Sequence, residues 1–262
     1  MIQNNFQIYS CPSKTLILGG YAIMNPKCSG ISIGLEERFY TVIYKNNNNI
    51  NNNENLNQQD NQQNEITFTF SSPQINSEWI YNFNISEQQL NQINTDKEKS
   101  NPFLESTLKS YNNVSSFLGY YKYKETKLEN IKIEIYFDSG FYSEKSQIQD
   151  KQISKKFKNF DKNNLQKSGL GSSACVIVSV LSALLNYHDI KSNQILEILS
   201  QIANIEAQKK VGSGFDIKTS IYGSNIYTMF SKESIMNLNL DQAFKINKNT
   251  GENTNHSTSP KI

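Results

Sequence analysis

Two glycines and three serines stand directly before a long apolar run, at residues 168–174. The stretch reads Ser-Gly-Leu-Gly-Ser-Ser-Ala, and the residues that follow, 175–185, leave no polar face. That run predicts a buried helix, whose first turn has unpaired backbone N–H groups at the positive end of the helix dipole. Such a helix start binds anions, and glycines let a phosphate approach the backbone closely. The stretch therefore indicates either an ATP-phosphate loop or a glycine–serine turn that only caps a core helix.

The spacing within this stretch excludes two common nucleotide-binding patterns. No Lys-Ser or Lys-Thr pair follows Gly171, so the G-x-x-x-x-G-K-[ST] pattern is absent. Ala174 stands where the third glycine of G-x-G-x-x-G would fall. A phosphate that binds here therefore binds in another type of nucleotide fold.

Two charged residues near turn-forming residues are further candidates for chemistry. Lys14 follows Cys-Pro-Ser, and Asp216 follows Gly-Ser-Gly-Phe. Each also has an ordinary structural interpretation, Lys14 as a solvated lysine at the start of a strand and Asp216 as a turn carboxylate. Because Arg38 is the one arginine in the sequence, lysine must supply most of the positive charge that a phosphate needs.

Composition excludes several other classes of protein. With 26 basic and 24 acidic residues the formal net charge is +2, which gives no sign of nucleic acid or membrane binding. Two histidines make a His-based catalytic triad or a His-ligated metal a poor hypothesis, and three cysteines without metal-ligand spacing indicate a reduced, cytoplasmic location. The apolar run after Ala174 is too short to span a bilayer.

The order of predicted elements gives the fold class. Alternating or apolar segments predict strands at 6–9, 16–18, 31–35, 39–44, 68–70, 79–83, 131–137 and 226–230. Helical spacing predicts helices from Pro102 onward, over 175–185 and over 193–205, the last capped by Ser192 or Asn193. Strands precede and alternate with helices, so we expect an α+β fold with a mixed β-sheet backed by helices.

Polar segments divide the chain. Residues 46–64 are almost pure Asn and Gln and are expected to form a disordered insert, and residues 144–166 are expected to form a mobile connection. The domain is predicted to occupy 1–240, followed by a disordered polar tail at 241–262.

Six short segments, in this order, resemble signatures of the GHMP-type small-molecule kinases, and within them the eukaryotic phosphomevalonate kinases. They are 12–14 with 19–21, 72–74 with Trp79, 101–105, 141–143, 167–174 and 207–224. The resemblance implies a GHMP kinase amino-terminal, ATP-binding domain. It also implies transfer of the ATP γ-phosphoryl group to 5-phosphomevalonate, with Mg2+, to give diphosphomevalonate and ADP in the mevalonate pathway of isoprenoid and sterol biosynthesis.

The same resemblance implies roles for individual residues. Lys14 and Asp216 would be catalytic, with Lys14 at the reacting centre and Asp216 orienting the acceptor or acting as base. ATP phosphates would be bound by Lys167, Gly169, Leu170, Gly171, Ser172, Ser173 and Ala174. Ser173 would also hold Mg2+, and Ser213 and Gly214 would contact the substrate. Because the second pKa of a phosphate monoester is near ~6, we expect Asp216 to act through orientation and electrostatics more than through proton removal.

The sequence also departs from the family pattern. Asn204 stands where a histidine is common, and Ser13 where glycine is common. Family members continue into a second domain, which we expect to be missing here because the sequence becomes polar soon after Phe230. We therefore expect an amino-terminal piece of a longer protein or a shortened, inactive copy, prone to association when expressed alone.

Two other functions remain open at this point. One is another GHMP kinase, acting on mevalonate, homoserine or a sugar, although the Gly-Ser-Gly-Phe-Asp context of Asp216 differs from that in mevalonate kinase. The other is a non-catalytic remnant domain. The expected partner is the small molecule phosphomevalonate, with no nucleic acid and no membrane, and the oligomeric state is left open.

Overall fold

The computed structural model describes residues 6–44, 65–95, 97–117, 130–144 and 157–230. The predicted insert at 46–64 and the predicted tail at 241–262 lie outside the described residues, as does most of the segment at 144–166.

A seven-stranded mixed sheet forms the framework of the fold. Its strands are β1 (Phe6–Leu18), β2 (Ser29–Tyr44), β3 (Glu65–Ser72), β4 (Ser77–Asn84), β5 (Gln89–Gln92), β6 (Ile131–Phe137) and β9 (Asn225–Thr228). The order is β1-β2-β6-β3-β4-β5, and β9 pairs with β2. Neighbours are antiparallel except for β3 and β6, which are parallel. A separate two-stranded ribbon joins β7 (Tyr142–Glu144) to β8 (Leu165–Lys167).

In the described part of the chain, four helices pack against this framework: α1 (Pro102–Phe117), α2 (Ser172–Tyr187), α3 (Asn193–Gln208) and α4 (Phe215–Tyr222). Helix α2 lies against β1 and β2, α1 and α3 pack on α2, and α4 lies against β1. Ser192 caps α3, since its side chain accepts a hydrogen bond from the backbone of Ile195 at 3.3 Å. No helix in the described part of the chain is long and apolar enough to cross a bilayer. The predicted α+β class with a mixed, helix-backed sheet is confirmed.

The core lies between the sheet and the helices. Aromatic and branched side chains from the central strands meet apolar residues of α1 and α2, and the fully buried members include Ile43, Phe68, Phe70, Ile133, Leu104, Leu108, Val180 and Leu184. Every residue from 177 to 181 is buried, as predicted for the apolar run after the glycine loop. The burial of α2 fixes where its first turn lies, which matters for the site.

The amino-terminal strands are longer than the sequence predicted. The segments expected at 6–9 and 16–18 belong to one strand, β1, which passes through Pro12 with a register irregularity between Pro12 and Lys14. Proline is tolerated there because a bulge interrupts the ladder that its missing N–H would have joined. Lys14 therefore lies inside a strand, just after the irregularity, and not at a strand start.

The alternation predicted at 31–35 is partly inverted. Ile31 is 40% exposed, whereas its neighbour Ser32 is fully buried. Ser32 faces α4, where its hydroxyl lies 2.7 Å from that of Thr219 and donates to the carbonyl of Thr15 at 3.3 Å. The buried serine is hydrogen-bonded, so burying it costs little, and its burial turns the apolar Ile31 outward.

Part of the segment predicted to be mobile, residues 157–166, is held against the fold. Phe160 is 8% exposed and packs on Phe137, with ring centroids 5.8 Å apart. Its backbone N–H donates to the carbonyl of Gln74 at 2.7 Å. The contacts of this segment are made by two aromatic residues, Phe157 and Phe160. The surrounding polar sequence gave no indication that these two residues pack on the fold. Residues 157–166 therefore contact the fold, and the mobility of 144–166 stays a prediction.

Candidate active site

The glycine loop joins β8 to the first turn of α2 in a conformation that glycine favours. Gly169 and Gly171 have φ values of 85° and 84°, in the left-handed region where a side chain is strained. Ser168 anchors the loop, since its backbone N–H donates to the carbonyl of Phe141 at 3.1 Å and its hydroxyl donates to the carbonyl of Gly140 at 2.6 Å. The loop is therefore tied to the turn before β7 while its glycines remain accessible.

The amino end of α2 is open to an anion. Gly171 is the residue before the helix, and no side chain caps this end. The first intrahelical bond runs from the N–H of Cys175 to the carbonyl of Gly171 at 3.1 Å. The N–H groups of Ser172, Ser173 and Ala174 precede it in the first turn, where helical N–H groups have no intrahelical acceptor. This is the arrangement that binds phosphate at helix starts.

Lys14 crosses this loop. Its backbone N–H donates to the carbonyl of Leu170 at 3.2 Å, and its ammonium group donates to the carbonyl of Gly169 at 2.9 Å. Its side chain passes over Gly171, where an added Cβ would lie 2.6 Å from Cε of the lysine. The ammonium group also lies 5.4 Å from the centroid of the Phe215 ring. The glycine at 171 therefore makes room for Lys14 as well as for a ligand.

Two cysteines fix the strand of Lys14 against the helix of the loop. The thiol of Cys11 donates to the carbonyl of Cys175 at 3.3 Å, and the thiol of Cys175 donates to the carbonyl of Pro12 at 3.4 Å. Both are buried free thiols, and burial raises the pKa of Cys11 well above its usual value. These reciprocal contacts join β1, two residues before Lys14, to the first turn of α2.

Asp216 lies in the first turn of α4, beside Lys14. Burial raises the pKa of the Asp216 carboxyl, and the backbone N–H of Ile217 and the charge of Lys14 partly oppose that rise. The N–H of Ile217 donates to Oδ1 of Asp216 at 3.0 Å. The structure thus brings Lys14 and Asp216, 202 positions apart in the sequence, to the same end of the glycine loop.

The two serines of the first turn have different surroundings. Ser172 is 5% exposed and lies beside Tyr142. Burial raises the pKa of Tyr142, and the nearby hydroxyl of Ser172 opposes that rise. Ser173 is half-buried, and so its hydroxyl is the more available of the two. The geometry favours a packing role for the side chain of Ser172 and a ligand role for that of Ser173.

Three other predicted site residues have structural partners. Lys167 is exposed, and its ammonium group lies 5.5 Å from the centroid of the Phe103 ring. The carbonyl of Ser213 accepts a hydrogen bond from the phenol of Tyr227. The carbonyl of Gly214 accepts from Nε2 of Gln201 at 2.9 Å.

Gly214 is itself buried, and a Cβ there would lie 2.5 Å from the Gln201 side chain. Close packing and a φ of 80° explain this glycine without a ligand. The predicted substrate contacts of Ser213 and Gly214 stay predictions.

Sequence reasoning missed the contribution of Phe215. The residue directly precedes Asp216, and its ring faces the ammonium group of Lys14. The only signal available was its position between Gly214 and Asp216. A contact between residues so far apart in the chain cannot be inferred from either segment alone.

The groups that the chain offers around the glycine loop are compatible with a nucleotide bound together with Mg2+. No cluster of three His, Cys, Asp or Glu side chains occurs in the described part of the chain. Mg2+ bound with nucleotides uses few protein ligands and takes the remainder from phosphate oxygens and water. A single hydroxyl such as that of Ser173, next to free helix N–H groups, matches this requirement.

Comparisons with known proteins agree with this geometry. Residues 141–224 match the family model of the GHMP kinases N terminal domain. The chain is similar to phosphomevalonate kinase of Candida albicans, at 31% identity over 232 residues, 85% of this chain and 48% of that protein. It is also similar to the peroxisomal phosphomevalonate kinase of Arabidopsis thaliana, at 26% identity over 264 residues, 86% of this chain and 51% of that protein. The chain spans about half the length of the curated relatives that it matches.

Solved structures show the same fold. The phosphomevalonate kinase of Streptococcus pneumoniae superposes with a TM-score of 0.55 at 14% identity, covering 92% of this chain and 54% of that chain. The same enzyme in complex with phosphomevalonate and AMPPNP gives a TM-score of 0.54 at 15% identity, covering 91% of this chain and 56% of that chain. The glycine loop lies within the matched family segment, and the sequence relatives share one name. The chain therefore resembles phosphomevalonate kinases over about half of their length, and its residues 141–224 match the amino-terminal domain of the GHMP kinases.

Proposed function

We propose that this chain is the ATP-binding part of a phosphomevalonate kinase, which transfers the γ-phosphoryl group of ATP to the phosphate of 5-phosphomevalonate. The observation that carries the proposal is the meeting of Lys14 and Asp216 at the open amino end of α2. The named sequence relatives support the choice of acceptor. The reaction belongs to the mevalonate pathway that supplies isoprenoids and sterols.

The chemistry requires positioning and charge neutralisation more than covalent work by the protein. In the transfer, the bond between the γ-phosphorus and the β,γ-bridging oxygen breaks, and an acceptor phosphate oxygen bonds to the γ-phosphorus. Backbone N–H groups at the start of α2 would hold the phosphates of ATP. The ammonium group of Lys14, which donates to the carbonyl of Gly169, would turn from that carbonyl to the bound phosphates. There it would stabilise the negative charge of the reacting oxygens.

Asp216 acts mainly by orienting the acceptor. The acceptor phosphate is mostly ionised at neutral pH, since its second pKa is near ~6, so little proton removal is needed. The raised pKa of the half-buried Asp216 carboxyl makes it able to take up the residual proton when the acceptor arrives singly protonated. The charge of nearby Lys14 opposes this rise in the Asp216 pKa and so favours the carboxylate form.

Ser173 would hold Mg2+ through its hydroxyl. When bound, the ion neutralises charge on the phosphates of ATP and helps to orient them. The side chain of Ser172 does not share this role, because it is buried beside Tyr142.

We also propose that the protein acts in the cytoplasm, which agrees with its three free thiols. One relative is named as peroxisomal, so the location needs its own test. Fractionation of cells that express the tagged chain should place it with cytoplasmic markers, and co-sedimentation with a peroxisomal marker would contradict this part of the proposal.

The decisive experiment measures ADP release by the purified protein with Mg-ATP. Phosphomevalonate, mevalonate, homoserine and galactose are supplied separately, and Asp216→Asn is the control. Turnover with phosphomevalonate alone, lost in the control, is the expected result. Turnover with another acceptor would assign a different GHMP kinase activity. Silence with every acceptor, together with intact ATP binding, would identify this chain as a non-catalytic domain by itself.

A further inference from the structure

Phe215 contacts the amine of Lys14 without contributing a charge. The ammonium group lies 5.4 Å from the centroid of its ring, within the range of an attractive interaction between a cation and an aromatic face. The second partner of that ammonium group, the carbonyl of Gly169 at 2.9 Å, is also neutral. None of the ion pairs between described residues includes Lys14.

The ring of Phe215 packs against a buried neighbour, and its backbone is hydrogen-bonded. It lies 6.5 Å from the ring of Tyr227 at an interplanar angle of 63°, and Tyr227 is 1% exposed. The carbonyl of Phe215 lies 2.7 Å from the hydroxyl of Thr219, which is also 2.7 Å from that of Ser32 on β2. Both the backbone and the ring of Phe215 are therefore fixed relative to the sheet.

We infer that Phe215 is a positioning residue that holds the Lys14 ammonium group over the glycine loop without forming an ion pair with it. A carboxylate in the same place would form an ion pair and would have to be displaced before Lys14 could serve an anionic phosphate. An aromatic face attracts the cation but adds no full negative charge. The role assigned to Lys14 in transfer rests on the proposed function, whereas the contact itself does not.

The first test measures the reactivity of the Lys14 amine, which does not depend on enzymatic activity. Trace acetylation with acetic anhydride, read by mass spectrometry, measures the accessibility of each lysine in the folded protein. Phe215→Leu and Phe215→Met remove the aromatic face and keep an apolar side chain, whereas Phe215→Tyr keeps the face. A cation–π contact at a partly exposed site predicts acetylation of Lys14 about 2- to 5-fold faster in the Leu and Met variants and unchanged in the Tyr variant.

A matched control lies on the same helix. The ammonium group of Lys218 lies 6.0 Å from the centroid of the Tyr222 ring, and Tyr222 is at the opposite end of α4 from Phe215. Tyr222→Leu should leave the acetylation of Lys14 unchanged. If a Phe215 variant unfolds, acetylation of all its lysines rises together, and the other non-aromatic variant then decides. Unchanged Lys14 acetylation in a folded Leu or Met variant, or an equal increase in the Tyr variant, would overturn the inference.

Turnover provides a second readout. In a protein active with phosphomevalonate, Phe215→Leu should lower kcat about 2- to 5-fold, and Phe215→Tyr should restore it. In a Lys14→Met background, Phe215→Leu should cause no further loss, since the ring acts through the lysine. An additional loss in that background would refute the coupling. If no acceptor gives turnover, the proposed function fails, while the acetylation result still decides the role of Phe215.

Discussion

Replacing Gly171 with alanine tests how closely the path of Lys14 is coupled to the glycine loop. An ideal Cβ at this position would lie 2.6 Å from Cε of Lys14. Carbon atoms in contact are about 3.5 Å apart, so one of the two must move by roughly 1 Å. The lysine is the flexible partner, and we expect it to leave the carbonyl of Gly169 while the loop stays in place.

The matched control is Gly169→Ala. Gly169 has nearly the same φ, 85° against 84°, but nothing lies within 4 Å of its ideal Cβ. Both substitutions should therefore pay the same left-handed backbone strain, about 1–2 kcal/mol, partly offset by about 0.4–1 kcal/mol because alanine restricts the unfolded chain. Urea denaturation should show similar losses of roughly 1 kcal/mol in the free energy of unfolding for both variants.

The two variants should differ in turnover. Displacing Lys14 removes a hydrogen bond to a charged group, worth about 1.5–3 kcal/mol, which corresponds to roughly a 10- to 150-fold loss in kcat. Gly169→Ala should retain most of its kcat, although both variants can change the KM for ATP because both lie in the loop. Equal kcat losses in the two variants would refute the reasoning. A much larger loss of stability in Gly171→Ala would show that the loop, and not Lys14, gives way.

Three further predictions follow from burial and hydrogen bonding. Asp216→Asn should lower kcat roughly 100-fold. The same change should raise the urea midpoint at pH 7. Burial raises the pKa of Asp216 in the folded protein, so ionising this carboxyl costs stability as the pH rises through that pKa. Ser173→Ala should raise the Mg2+ concentration needed for half-maximal turnover about tenfold. Ser172→Ala should leave that concentration unchanged, because the side chain of Ser172 is buried. Gln74→Leu should lower the free energy of unfolding by about 2–3 kcal/mol in urea titrations, because it leaves buried backbone groups unpaired.

Each of these predictions has a control and a contrary outcome. The stability gained by Asp216→Asn should vanish below pH ~4, where an unfolded aspartate is protonated, and a gain that persists there would contradict the assigned cause. An unchanged Mg2+ requirement in Ser173→Ala would remove that serine from the site. Gln89→Leu replaces an exposed glutamine of β5 and should be nearly neutral. A similar loss of stability in Gln74→Leu and Gln89→Leu would show that the hydrogen bonds of Gln74 are not the cause.

The residues of the candidate site carry clearer local sequence signals than the strands of the sheet do. The loop, Lys14 and Asp216 carry local signals, namely glycines before an apolar run and charged residues near turns, and such signals depend on a few adjacent residues. The structure brings these three features together, which no local pattern could establish. Their meeting depends on the pairing of β1 with β2 and on the packing of α2 and α4 against those strands.

What the sequence did not reveal depends on partners distant in the chain. Ser32 is buried because α4 offers it Thr219, and the segment before the loop is held because Phe160 meets Phe137 and Gln74. The contact of Phe215 with Lys14 is of the same kind. In each case the residue type does not indicate the contact until the neighbouring residue in the fold is known. For this reason the periodicity of 31–35 predicted the wrong sides for Ile31 and Ser32.

The double pairing of β2 has a consequence for how the molecule folds. One edge of this strand pairs with β1, while on the other edge its first residues pair with β9 and its last residues with β6. The register of Ser29 with Thr228 closes a loop of about two hundred residues, and contacts of such long range form slowly because chain entropy opposes them. Asp216 and Phe215 lie just before β9, so their final placement belongs to the last steps of folding. A ribosome must therefore release nearly all of the described chain before the site exists, and earlier folding intermediates expose an unpaired edge of β2 that chaperones would have to protect.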